Sequence, residues 1–200
     1  IVKGISANPK INVETSLDNQ GLFGVINGAT IENLSVSGSV IGRSMVGSVV
    51  GKQLTGNVRN VYSRANVTAN SNYAGGIVGY LQNGNVLNAF YKGETIAAAY
   101  AGGIVGGASN SNSITNTYSA GKVSANNYVH GVVYETDARY LTRSNNYYDV
   151  TVTANYMQTK TTKPATSLSV LTIGNSFTDD PTAYLGSLAK NEGFELNLTH

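Results

Sequence analysis

The sequence predicts an all-β fold: a right-handed parallel β-helix of about five rungs, each of about 27–28 residues, followed by a short C-terminal strand–helix–strand fragment. Three observations point to it. A five-residue word recurs: "QGLFG" ends at Gly24, "GSVVG" at Gly51, "GGIVG" at Gly79 and again at Gly106, and "HGVVY" at Tyr134. Successive ends lie 27, 28, 27 and 28 residues apart. Two further columns keep the same beat: Asn33, Asn60, Asn88, Asn116 and Asn146, and Met45, Tyr73, Tyr100, Tyr128 and Tyr156. The segments between them, such as "NVRNVYSRANVTA" and "SITNTYSAGKVSA", alternate and are rich in Val, Ile, Thr and Tyr. Gly, Asn and Ser bound them, which is the chemistry of strands and turns.

Each element follows from that beat. A unit of this length fits one coil of three short strands and three turns. Stacked coils pair equivalent strands in parallel, about 4.8 Å apart. Ile and Val of the "GIVG" word stack rung on rung as a narrow apolar core. The recurrent Asn takes the left-handed bend and bonds to the rungs above and below. Handedness is the general one of β-crossovers. Residues 1–20 read as the tail of an earlier rung, which implies chain upstream, because a solenoid needs its ends covered.

Composition narrows the function. Charged residues make up 12% of the 200, and the net charge is +2. Such a chain covers its surface with Asn, Ser and Thr, as extracellular β-proteins do. Its basic residues, among them Lys52, Arg59, Arg64, Lys92 and Lys122, are scattered. Nucleic acid is therefore not an expected partner. With no cysteine there is neither a disulfide framework nor a thiolate metal site. His130 and His200 have no companions at metal-ligand spacing, so no metal and no cofactor are expected. No apolar run approaches the ~18 residues of a membrane span, so no membrane insertion is expected within this chain. The chain begins with Ile rather than Met and reads as a mature or excised fragment.

The words "QGLFG" and "GGIVG", the "N-x-Y" corners and the closing "NNYYD" (Asn145–Asp149) resemble GLUG-motif repeats over about residues 5–160. Those repeats occur in large bacterial surface proteins, including adhesins and secreted peptidases. The resemblance implies an extracellular or bacterial cell-surface location and an adhesive or spacer role. Glycans, host proteins or cell-surface proteins would be the partners. The words depart from the pattern at Ser48 and in "HGVVY", where a less regular stack is expected.

β-Helices can host lyases and hydrolases, which need carboxylates clustered on one face. Asp18, Glu32, Glu94, Glu135, Asp137 and Asp149 fall in different rungs and do not recur at the period. A non-catalytic solenoid is the expectation. The column Tyr73, Tyr100, Tyr128 and Tyr156 has two readings. Facing outward with free ring faces, it would stack on sugars. Packed between rungs, it would be a structural ladder, and that reading is preferred.

The language changes near Pro164, which divides the chain into a solenoid, 1–163, and a second piece, 164–200. "LSVLTI" (Leu168–Ile173) reads as a buried strand. Asp179 or Asp180 would cap a helix with Pro181 at its first position, and Phe194–Leu198 would be a second strand. Strand, turn, helix and strand open an α/β sheet. "IGNSFTDD" here resembles the first block of SGNH/GDSL-type hydrolases, over about residues 168–200 only. The resemblance makes Ser176 the nucleophile of a longer parent protein, a serine esterase. The activating Asp and His would lie downstream, and without its base a serine hydroxyl is a poor nucleophile. Read by itself, Ser176 is a turn serine. This chain alone is therefore not expected to be an enzyme. A carbohydrate-binding or scaffold region serving such an esterase is the rival reading.

Overall fold

The computed structural model describes residues 9–135, 141–149, 167–170 and 195–198. The chain divides into two compact units, Ile1–Thr159 and Lys160–His200.

The first unit is a parallel β-solenoid of about five turns. One coil shows the plan. Gly56–Ser63 lies on the first face, Asn66–Ala69 on the second, Ala74–Gly75 on the third and Val78–Leu81 on the fourth. The next coil repeats it with Gly84–Tyr91, Glu94–Ala97, Tyr100–Gly102 and Val105–Ala108. The pairing is parallel and in register: Val58 opposes Val86, Thr68 opposes Ile96, Ala74 opposes Ala101 and Val78 opposes Val105. Parallel pairing follows from the topology, because each strand returns to its neighbour only after a full turn.

A coil thus has four strand segments, not the three expected from its length. The repeated word is the reason. "GGIVG" does not lie within one strand but straddles a corner: its first Gly ends the third face and its Val opens the fourth. The corner glycine, Gly76, sits where no side chain fits. A Cβ there would lie 2.2 Å from the Gly103 carbonyl oxygen of the next coil and 2.5 Å from the Tyr91 ring.

The core is the expected apolar stack. Val49, Val50, Ile77, Val78, Ile104 and Val105 are completely buried, and Val132 and Val133 nearly so. A second inward column runs Ile31, Val58, Val86, Ile114 across the first face. Each Val or Ile removed from water contributes about 1.5–3 kcal/mol, and its β-branch suits the pleat.

The irregularity expected at Ser48 is absent. Ser48 is fully buried and its hydroxyl donates to the Gly76 carbonyl. The Val49 and Val50 amides beside it bond normally to the next coil, both to Ile77 O, at 3.0 and 3.1 Å. Room for the side chain comes from the facing strand. Where Gly76 faces Tyr91, the register places Ser63 in the earlier coil. The irregularity expected at "HGVVY" is real: the pairing shifts between Val105/Val133 and Ala108/Glu135.

In the second unit, Ser167–Val170 and Glu195–Leu198 pair in parallel, Leu168 opposite Leu196. Parallel neighbours need a crossover between them, as the expected strand–helix–strand order supplies. The expected helix itself falls outside the described residues. Among the described residues no helix is long and apolar enough to cross a membrane.

Candidate functional site: the side-chain columns of the coil stack

The outer surface of the solenoid is organised as columns, each coil repeating the residue below. The first begins with an asparagine bend. Asn33, Asn60, Asn88, Asn116 and Asn145 all have φ between 51° and 56°. Asparagine tolerates this left-handed conformation better than other residues with a side chain. The bend turns the amide outward, where it meets its copy. Asn60 Nδ2 donates to Asn33 Oδ1 at 3.2 Å, Asn88 to Asn60 at 2.9 Å, Asn116 to Asn88 at 3.1 Å and Asn145 to Asn116 at 3.0 Å. The fifth member is Asn145, not Asn146 as the column of spacings suggested. Asn146 opposes Thr117 and turns inward. Its amide donates to Ile114 O at 2.6 Å, and its oxygen accepts from the Thr117 hydroxyl at 2.9 Å.

Two residues beyond each of Asn60, Asn88 and Asn116 stands an aromatic ring. Tyr62 and Phe90 stack at 5.2 Å, Phe90 and Tyr118 at 5.5 Å, with planes 17° and 12° apart. The register carries the column on to Tyr147. Sequence reasoning used the "N-x-Y" corners only as a resemblance and did not pick out these rings. The signal was the aromatic at a fixed offset from the asparagine.

The predicted tyrosine column is a second stack. Tyr73 lies on Tyr100 at 5.1 Å, and Tyr100 on Tyr128 at 5.7 Å. Tyr80 meets Tyr73 edge-on at 4.9 Å, and Tyr134 packs on both Tyr100 and Tyr128. Five tyrosines from two faces therefore form one cluster. Tyr73 and Tyr100 are half-buried, and Tyr128 is exposed. Burial raises the phenol pKa of Tyr73 and Tyr134, with neighbouring tyrosines adding to the shift. The fourth expected member, Tyr156, and the expected nucleophile, Ser176, lie outside the described residues.

Charges, too, are paired along the stack. Arg59 meets Glu32 at 2.6 Å, and Lys122 meets Glu94 at 2.9 Å. Each pair is separated by one period, a signal that a search for clustered acids passes over. Asp18 pairs with Arg43, whose hydrogen bond holds the carboxyl below the ordinary range. Among the described residues no group of three or more His, Cys, Asp or Glu could hold a metal ion.

One residue missed by sequence reasoning is inside. Tyr91 follows Phe90, so strand alternation points it inward, and it is completely buried. Its hydroxyl donates to Ala65 O at 3.1 Å and accepts from the Thr95 hydroxyl at 3.0 Å. Burial pushes its pKa up strongly. It is therefore a neutral structural phenol across the physiological range.

The coil stack has a solved counterpart. It is similar to the crystal structure of a "putative immunoglobulin A1 protease" from Bacteroides ovatus, at 24% identity and a TM-score of 0.56. The match covers 68% of this chain and 44% of that one, so this chain spans less than half of that protein's length. At that identity the likeness shows the fold. No protein-family model matches the chain, and no curated protein matches it.

Proposed function

We propose that this chain is a non-catalytic extracellular β-solenoid module of a bacterial surface or secreted protein, acting as an adhesive surface or spacer. The observation that carries this reading is the lengthwise pairing of the outer columns. Asparagine amides, aromatic rings and charges each find their partner on the adjacent coil. Such a surface holds a stiff rod at about 4.8 Å per coil and shows its surroundings amides, phenol edges and little net charge. The resemblance to GLUG-motif repeats and the low charged content fit the same reading.

A second reading is a carbohydrate-binding or scaffold region of a secreted SGNH-like esterase, with Ser176 as its nucleophile. Its support is that Tyr128 and Tyr147 are 42% and 40% exposed, leaving ring surface for a sugar. A spacer and a carbohydrate-binding region separate on a glycan panel presented to the full chain. The spacer reading expects no glycan whose binding depends on these rings. A glycan whose affinity falls tenfold or more in both Tyr128→Ala and Tyr147→Ala would replace it with the carbohydrate-binding reading. For scale, tenfold is about 1.4 kcal/mol. A fluorophosphonate serine probe checks the catalytic element. No labelling of the full chain is expected, and labelling lost in Ser176→Ala would contradict a non-catalytic module.

A further inference from the structure

The turn between the third and fourth faces is hydrogen-bonded identically in three successive coils. Two consecutive amides donate to a single carbonyl of the coil above. Val49 and Val50 both donate to Ile77 O, at 3.0 and 3.1 Å. Ile77 and Val78 both donate to Ile104 O, at 2.9 and 3.0 Å. Ile104 and Val105 both donate to Val132 O, each at 2.9 Å. In the fifth coil the pattern keeps its donors and changes its acceptor. Val132 and Val133 both donate to the side chain of their own coil's His130, at Nδ1, 3.0 and 3.1 Å away.

His130 stands where the repeat has glycine: it opposes Gly102, which opposes Gly75. We propose that His130 is a side-chain cap on the two amides of this turn, its imidazole nitrogen taking the role that the next coil's carbonyl plays in the three earlier coils, and that acid releases the cap. Without an acceptor these two buried, adjacent amides would go unpaired. The imidazole covers both donors at once, and the Tyr148 ring, 5.6 Å away, holds it in place. Tyr148 can lie there because residue 131 is glycine; a Cβ on Gly131 would fall 1.9 Å from that ring.

The first face of the coil that follows turns polar. The inward column Ile31, Val58, Val86, Ile114 reaches Arg143, which is exposed. The column Leu34, Val61, Ala89, Thr117 reaches Asn146, whose amide bonds back to the coil below. The departure at His130 is thus followed by two more, at Arg143 and Asn146, on the first face of the next coil.

An Nδ1 that accepts two N–H groups must be unprotonated, which fixes the Nε2–H tautomer. A proton there would set a donor against two donors. Burial, then the positive charge of Arg143, lowers the His130 pKa to about 4. The preceding coil contributes Gly102, which carries no charge. Among the described residues the titratable and charged groups about it are Tyr128, Tyr134, Tyr148 and Arg143. The sign follows from linkage: the opened form, with an ordinary pKa near 6.5, takes up the proton first. The cap is at full strength above pH ~6.5. It weakens by up to about tenfold per pH unit below that, roughly 150-fold by pH ~4.

The test is amide hydrogen exchange by NMR on the full chain, read as protection factors. In the native protein, Val132 and Val133 should lose at least tenfold in protection between pH 7 and pH 4.5. Ile77 and Val78, in the same turn two coils below, should not. In His130→Gly, which restores the repeat's own residue, Val132 and Val133 should already be unprotected at pH 7. Undiminished protection in that variant would overturn the cap. The imidazole 15N shifts of the native protein decide independently of the variant's folding. A bare Nδ1 and a titration well below 6.5 support the proposal; a protonated Nδ1 at pH 7, or a titration near 6.5, overturns it.

Discussion

Replacing Gly76 by serine should cost about 3 kcal/mol or more, and replacing Tyr91 by serine as well should return much of it. The single change pushes a Cβ against the Tyr91 ring and the Gly103 carbonyl, an overpacking that a close-packed core cannot relax. Tyr91→Ser alone empties the space of a buried ring and removes a hydrogen bond to Thr95, at about 3–5 kcal/mol. The double variant rebuilds what the earlier coil already has, Ser48 donating to the next carbonyl with Ser63 on the facing strand. A coupling of about 2–3 kcal/mol between the two positions is expected. Urea unfolding of the two single variants and the double variant measures it. Simple additivity would mean that Ser48 and Ser63 are not a matched pair.

Asn88→Ala should destabilise the chain by about 2–5 kcal/mol, far more than an exposed polar residue ordinarily does. Two contributions add. Alanine at φ 51° bears about 1–2 kcal/mol of left-handed strain. The hydrogen bonds to Asn60 and Asn116 are lost as well, each about 0.5–1.5 kcal/mol net. Asn88→Gly removes the same bonds without the strain, so it should fall between native and alanine. Thermal unfolding of the three proteins orders them. If glycine and alanine were equally destabilising, the bend would not need the left-handed conformation, and the column would be held by its bonds alone.

These two effects show what could and could not be read from the residues. The period, the Ile and Val core of "GIVG" and the left-handed asparagine column were legible, because a stacked coil must place like on like. The offset of the last asparagine was not. Asn145 and Asn146 are adjacent and chemically identical, and only the register decides which turns outward. The fourth strand segment was hidden because a glycine-rich word reads equally as strand or corner. The Tyr73–Tyr100–Tyr128 stack was legible as a column, but its merger with Tyr80 and Tyr134 was not. Those two tyrosines come from the fourth face, reached only when the chain closes its coil. The pairing of Ser48 with the Ser63 position, and of Gly76 with Tyr91, joins residues 15 apart. No repeat alignment compares those positions.

The claim beneath all of this is that each 27–28-residue unit is one coil lying in register on the next. The chain has no cysteine, so engineered pairs report without background. Thr68 and Ile96 are direct partners on adjacent coils, both with outward side chains. A Cα separation near the 4.8 Å strand spacing suits a disulfide. Thr68→Cys with Ile96→Cys should oxidise to an intramolecular disulfide in the folded chain. Thr68→Cys with Glu94→Cys, two residues out of register and about 8 Å apart, should stay reduced under the same conditions. Cross-linking of the offset pair in preference to the direct pair would contradict the stack, and with it the reading of the outer columns as its fastening.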